Sequence, residues 1–219
     1  MPKLLVSRRE ITKTFAYVER TVENHALYLE LSGVEARTDI SAEVRHSIPP
    51  GYHLVRVDGR VGSEAGKCFE IALLNDLTQA VVYYNKVIIT ELVDQKCRPA
   101  TQMLVWRSTD AQHGPVLRDL PSNVFFNYIL ERYDVILSDQ NQTREGHTFW
   151  QRHMSLALAR NLHVYYYRML SGALQPIANQ QELDDLTDVI WGEADGQEDH
   201  LALISRVQLP LQLTVQFDE

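Results

Sequence analysis

LPSNVFFNYILERYDVILSDQNQTREGHTFWQRHMSLALARNLHVYYYR, from Leu120 to Arg168, decides the fold. Val124, Phe125, Tyr128 and Ile129 fall on one face of a helix over 121–133. Asp134 to Leu137 has the length and apolarity of a short buried strand, and Ser138 to Gln142 is polar and turn-like. Thr143 can cap a second helix, its hydroxyl accepting from the amides of the first turn. That helix runs to about Arg160 and offers Phe149, Trp150, Met154, Leu156 and Leu158 to a core. His163 to Arg168 alternates and is rich in Val and Tyr, the pattern of a strand. The βαβ crossover predicts that 134–137 and 163–168 are parallel neighbours. It also leaves a polar turn at the carboxyl end of the first strand, where ligands meet α/β sheets.

Outward from this block, four strand-like runs precede it: Tyr52–Val61, Lys67–Leu74, Ala80–Ile89 and Thr101–Arg107. Short polar joints between them predict an antiparallel meander. Pro49-Pro50-Gly51 is a break between an N-terminal strand and helix segment, 1–48, expected to be part of the main domain, and the main region, 49–219. Within the segment, 12–22 fits either a helix or a hairpin strand, the helix being preferred, ALYLEL at 26–31 alternates like a strand, and a short helix starts at Ser41. Asp110–Leu120 and Ser171–Asn179 read as loops, 181–191 as an amphipathic helix, and 201–206 and 209–217 as closing strands. The expected class is therefore α/β (α+β), a mixed sheet in which an antiparallel meander is followed by β-α-β-α-β.

The 219 residues are 45% hydrophobic and 23% charged, with a net charge of −8. An acidic chain is a poor fit to a broad nucleic-acid or anionic-membrane surface, so neither partner is expected. Cys68 and Cys97 lack the paired spacing of a zinc site, the histidines form no HxH or HxxxH pair, and no metal is expected. MPKLLVSRRE shows no long apolar segment after its charges, so no leader or span is expected and the chain reads as cytoplasmic. No Walker or dinucleotide fingerprint occurs, and Ser138, Asp139 and His163 lack the elbow that would make a hydrolase triad of them.

The order of elements, together with Thr143, Gly146 and Trp150 at +3 and +7 spacing, resembles the GNAT superfamily of acyl-CoA-dependent N-acyltransferases. The Ser138-Asp139 pair before them is similar to a form found in divergent, phage- or mobile-element-type members. The resemblance covers roughly 52–168 as an order of elements and rests on about a dozen residues. It implies acetyl-CoA or another acyl-CoA as cofactor, with an amine of a small molecule or protein as substrate. The backbone of Met103, Leu104, Val105 and Trp106 would polarise the thioester carbonyl, with Arg118, Ser138 and Thr143 as further cofactor contacts. Asp139 is the first candidate base, with His147 and Glu91 beside it, and Glu70 and His113 as further candidates.

Two departures stand beside the match. Where the family has a glycine-rich phosphate loop, this chain has RSTDAQHGPVLRDLPSN, whose two prolines lack amide hydrogens. Trp150 stands where the family often has a tyrosine acid, and an indole N–H transfers no proton. The alternative function is accordingly a catalytically inactive GNAT-fold protein that acts by protein–protein binding, its acidic stretch from Glu182 to Asp199 facing a basic partner. A strand at 209–217 could also pair with another subunit and give a homodimer. Simpler roles compete for each side chain: a cap for Thr143, core for Trp150, a turn carboxylate for Asp139, an exposed helix side chain for His147.

Overall fold

The computed structural model of the chain describes residues 16–60, 68–90, 98–137, 144–168, 171–191 and 200–210. The fold is α/β, and the chain divides into two compact units. Among the described residues, one unit comprises 16–60, 68–90 and 101–131, and the other 98–100, 132–137, 144–168, 171–191 and 200–210.

The first unit opens with a helical turn over 16–19 and helix α1 (Thr21–Gly33). Strand β1 (Arg37–Asp39) and the short α2 (Ser41–Val44) follow, then β2 (Tyr52–Asp58), β3 (Cys68–Asn75), β4 (Ala80–Thr90) and β5 (Ala100–Arg107), which the chain enters at Thr101. The strands lie in sequence order, and β1–β2, β2–β3 and β3–β4 are antiparallel, the expected meander. ALYLEL is a correction: 26–31 lies inside α1. Its buried residues are Asn24, Leu27, Tyr28 and Leu31, a single helical face. The apparent period of two came from that face crossing a six-residue window. Those side chains pack on Val55, Val57, Ala72, Leu74, Val81 and Tyr84.

A bulge shifts the β3–β4 register between Leu73 and Leu74, so that Val82 is the extra residue. The backbone freed there is answered from α1. Asn24 Oδ1 accepts from the Val81 amide at 2.8 Å, while Asn24 Nδ2 donates to Val81 O at 3.0 Å and Val18 O at 2.8 Å. Beyond β5, 110–120 is not the loop expected. A 3₁₀ turn (Ala111–His113) leads into α3 (Gly114–Leu117), because Asp110 caps the turn by accepting from the Gln112 amide and Pro115 suits a first helical turn. The expected helix follows as one run: α4 (Leu120–Asn123), a π-helical segment (Val124–Ile129) and α5 (Leu130–Arg132).

The second unit holds β6 (Asp134–Leu137), α6 (Arg144–Ala159), β7 (His163–Arg168), β8 (Ala173–Ile177), α7 (Gln180–Trp191) and β9 (His200–Ser205). Its strand order is β6-β9-β7-β8. This corrects the expectation of parallel neighbours. β9 lies between β6 and β7 and is antiparallel to both, pairing Leu203 with Ile136 on one side and with Tyr165 on the other. The crossover fixes strand direction but cannot exclude a later strand from entering the gap.

A second correction is β8, expected as loop. Gly172, at φ +67°, turns the chain so that 173–177 pairs with β7. Pro176 is tolerated because β8 is an edge strand in this order, where an amide is dispensable. Tyr165, Tyr166 and Tyr167 are all buried, so both faces of β7 are covered. In α6 the buried side chains include Trp150, His153, Met154 and Ala157, while Phe149, Leu156 and Leu158 are half-buried. The expected strand at 209–217 and the cap at Thr143 lie outside the described residues, apart from Leu209, which is buried, and Pro210.

Candidate functional site

Strand β5 carries the backbone expected to face a thioester. Leu104 is buried and Met103, Val105 and Trp106 are half-buried. Trp106 packs on the α1 side of the sheet, so strand alternation turns Met103 to the other face. The segment after β5 spends its amides internally. Gln112 N donates to Asp110 Oδ1, His113 N to Asp110 O, Arg118 N to Gly114 O and Asn123 N to Asp119 O. Arg118 is exposed between α3 and α4.

Three of this unit's polar clusters bear on the candidate residues or on the groups around them. In the first, His113 is buried and its Nδ1 lies 2.9 Å from Tyr52 Oη, while Gln112 Nε2 lies 3.3 Å from His113 Nε2 and 2.8 Å from Asp110 Oδ2. A carboxylate only accepts, so the Gln112 amide nitrogen faces Asp110 and sends its other hydrogen to His113 Nε2. His113 then holds its proton on Nδ1 and donates to Tyr52, leaving the Tyr52 hydroxyl hydrogen for a further acceptor.

The second cluster removes Glu70 from the list of available bases. Its carboxylate, 1% exposed, accepts from Arg60 Nε at 2.8 Å, from Arg60 Nη2 and from the Tyr84 hydroxyl. Arg60 also pairs with Glu30 of α1. Burial first, and then the charge and hydrogen bond of Glu70, push the Tyr84 phenol well above its ordinary range. This is a bolt between helix and sheet.

The third cluster is Asn85 with Tyr83 and Met103. Asn85 Nδ2 lies 3.3 Å from Tyr83 Oη and 3.7 Å from Met103 Sδ, and Asn85 Oδ1 is buried with no hydrogen-bond partner. Burial pushes the Tyr83 phenol up, with the Asn85 bond acting the other way.

In the second unit His147 is half-buried near the start of α6. Asp139, Glu91, Ser138 and Thr143 lie outside the described residues. His153, on the same helix, donates from Nδ1 to Phe149 O at 2.7 Å. Burial, with Arg152 and Arg160 adding to it, brings its pKa down to about 4 against the pull of the Phe149 bond. Asp134 is fully buried, and its Oδ1 accepts from Arg98 Nη2 at 3.0 Å and Ser205 Oγ at 2.6 Å. Tyr165 accepts from the Leu209 amide at 2.8 Å. These bonds tie strand ends together.

Sequence reasoning did not single out Tyr52, Asn85 or Arg60. For Asn85 a signal existed: one amide inside the apolar run AVVYYNKVII. Tyr52 and Arg60 had none, since their partners come together only on folding. Among the described residues no group of three His, Cys, Asp or Glu side chains is placed to hold a metal ion, and no helix is long and apolar enough to cross a membrane. Comparison with protein-family models, with curated proteins and with solved structures finds no match.

Proposed function

We propose that this chain is a divergent GNAT-like N-acyltransferase that moves an acyl group from acyl-CoA to an amine of a small molecule or protein. The observation that carries this reading is the order of elements: an antiparallel run to β4, then β5, a helical run, β6, α6 and β7. In the reaction the amine nitrogen attacks the thioester carbonyl carbon. The C–N bond forms, the C–S bond breaks, the amine proton passes to a base and coenzyme A leaves as thiol. Backbone amides of Met103–Trp106 would steady the carbonyl oxygen. With Glu70 bonded at both oxygens, Asp139, His147 and Glu91 are the bases to test, with His113 after them. Incubation with acetyl-CoA and a panel of primary amines, following thiol release, tests the reading. Amine-dependent release that falls on Asp139→Ala supports it, and no release with any amine or acyl donor contradicts it.

A second reading is favoured by one observation, the internal use of amides over 112–123. Amides spent this way do not cradle a pyrophosphate. On that reading the chain is an inactive relative that binds a basic protein, and α7 offers an acidic outer side through Asp184, Asp185 and Asp188, all exposed. It predicts no heat on titration with acyl-CoA.

A further inference from the structure

Asn85 is 1% exposed and Tyr83 fully buried, and both project from the same face of β4, two residues apart. Each has hydrogen-bonding capacity left over. Asn85 Oδ1 accepts nothing, and Tyr83 Oη, while receiving Asn85 Nδ2 at 3.3 Å, has its own hydrogen unspent among the described residues. Turning the Asn85 amide over does not remove the deficit. The Tyr83 hydroxyl would then donate to Oδ1, and the amide nitrogen, now in the place that Oδ1 held, would have no acceptor among the described residues. A buried polar atom without a protein partner costs free energy, and any small group that bonds to it relieves that cost.

The chemistry of the missing partner is constrained. A group carrying a donor beside an acceptor satisfies the pair in either orientation of the amide. Neither side chain has an ionised hydrogen-bond partner among the described residues, so a charged group would enter uncompensated. Met103 is the movable wall: it is half-buried on β5, unbranched, and in contact with the amide through sulfur.

We propose that Tyr83, Asn85 and Met103 form a buried subsite for a small uncharged group with both an N–H or O–H donor and an acceptor, an amide or alcohol rather than an ammonium or carboxylate. Among the described residues the three side chains come from β4 and β5, and the subsite is tested without acyl-CoA, so its failure and the failure of the acyltransferase reading are separate results.

The test titrates the full-length ¹⁵N-labelled chain with acetamide, with methylammonium chloride and sodium acetate as charged counterparts, and without acyl-CoA. The Asn85 side-chain resonance pair is assigned by its loss in Asn85→Leu, whose fold is checked by the dispersion of its backbone amide spectrum. The expected result is a saturable shift of that pair with acetamide and none with the charged probes. Tyr83→Phe, which keeps the ring, is expected to weaken acetamide binding about tenfold, the factor produced by one hydrogen bond of ordinary strength. A response linear in acetamide, one unchanged by Tyr83→Phe, or equal responses to the charged probes would overturn the proposal.

Discussion

Tyr52 Oη and His113 Nδ1 lie 2.9 Å apart, joining the first residue of β2 to the turn that follows β5 across a separation of 61 residues. The imidazole is buried and donates into the phenol, and Gln112 and Asp110 fix that direction from behind. Tyr52→Phe leaves the Nδ1–H of His113 without an acceptor. The expected loss is about 1–2 kcal/mol in urea denaturation. His113→Leu combined with Tyr52→Phe is expected to cost less than the two single changes together, because removing both partners leaves no orphan. Additive losses would show that the pair does not interact.

Asn24 gives a sharper test of how α1 is attached. Its amide meets both polar groups of Val81 where the bulge has freed them. Asn24→Leu should destabilise by about 2–4 kcal/mol, since several buried backbone groups lose partners at once. Asn24→Asp keeps the acceptor for the Val81 amide and loses both donors. It too should be destabilised, and hydrogen exchange at Val81 should separate the two variants, with faster exchange only in the leucine form.

For the Arg60–Glu70 bolt, Arg60→Met strands a buried carboxylate and is expected to cost about 3–5 kcal/mol. Adding Glu70→Met should recover a substantial part of that loss, since an apolar pair of similar volume replaces the ions. Recovery of nothing would mean that the arginine acts through packing alone.

His153 sets an acid limit. Its folded pKa of about 4 lies below the ordinary 6.5, so the unfolded chain binds the proton more readily in the interval between them. The stability held by the neutral ring is fully present above pH 6.5 and is lost as pH falls toward 4. The loss is up to about 3 kcal/mol. Urea midpoints at neutral and at mildly acidic pH, compared between the natural chain and His153→Leu, check this. The variant should lose less stability over the same interval.

Local pattern carried much of the fold. Asp134–Leu137, the helix that follows and His163–Arg168 were legible because each is longer or more periodic than its flanks. ALYLEL was misread because six residues of a buried helical face mimic alternation when the anchoring Asn24 lies just outside the window. The strand at 173–177 was hidden by Pro176, which argues against a strand everywhere except at an edge. The place of β9 could not be read, since nothing in HLALIS says which two strands it separates. The site was legible only as a list of residue types. What decides their roles is partnership across long separations, as Glu70 shows: a plausible base by position, and a bonded counter-ion in the fold.

The most direct test of the central claim is isothermal titration of the full chain with acetyl-CoA, with thermal unfolding in the presence of the cofactor as a parallel reading. An acyltransferase predicts saturable micromolar binding, a raised unfolding temperature, and weaker binding in Arg118→Ala. No heat and no shift in unfolding temperature would contradict it and leave the protein-binding reading in its place.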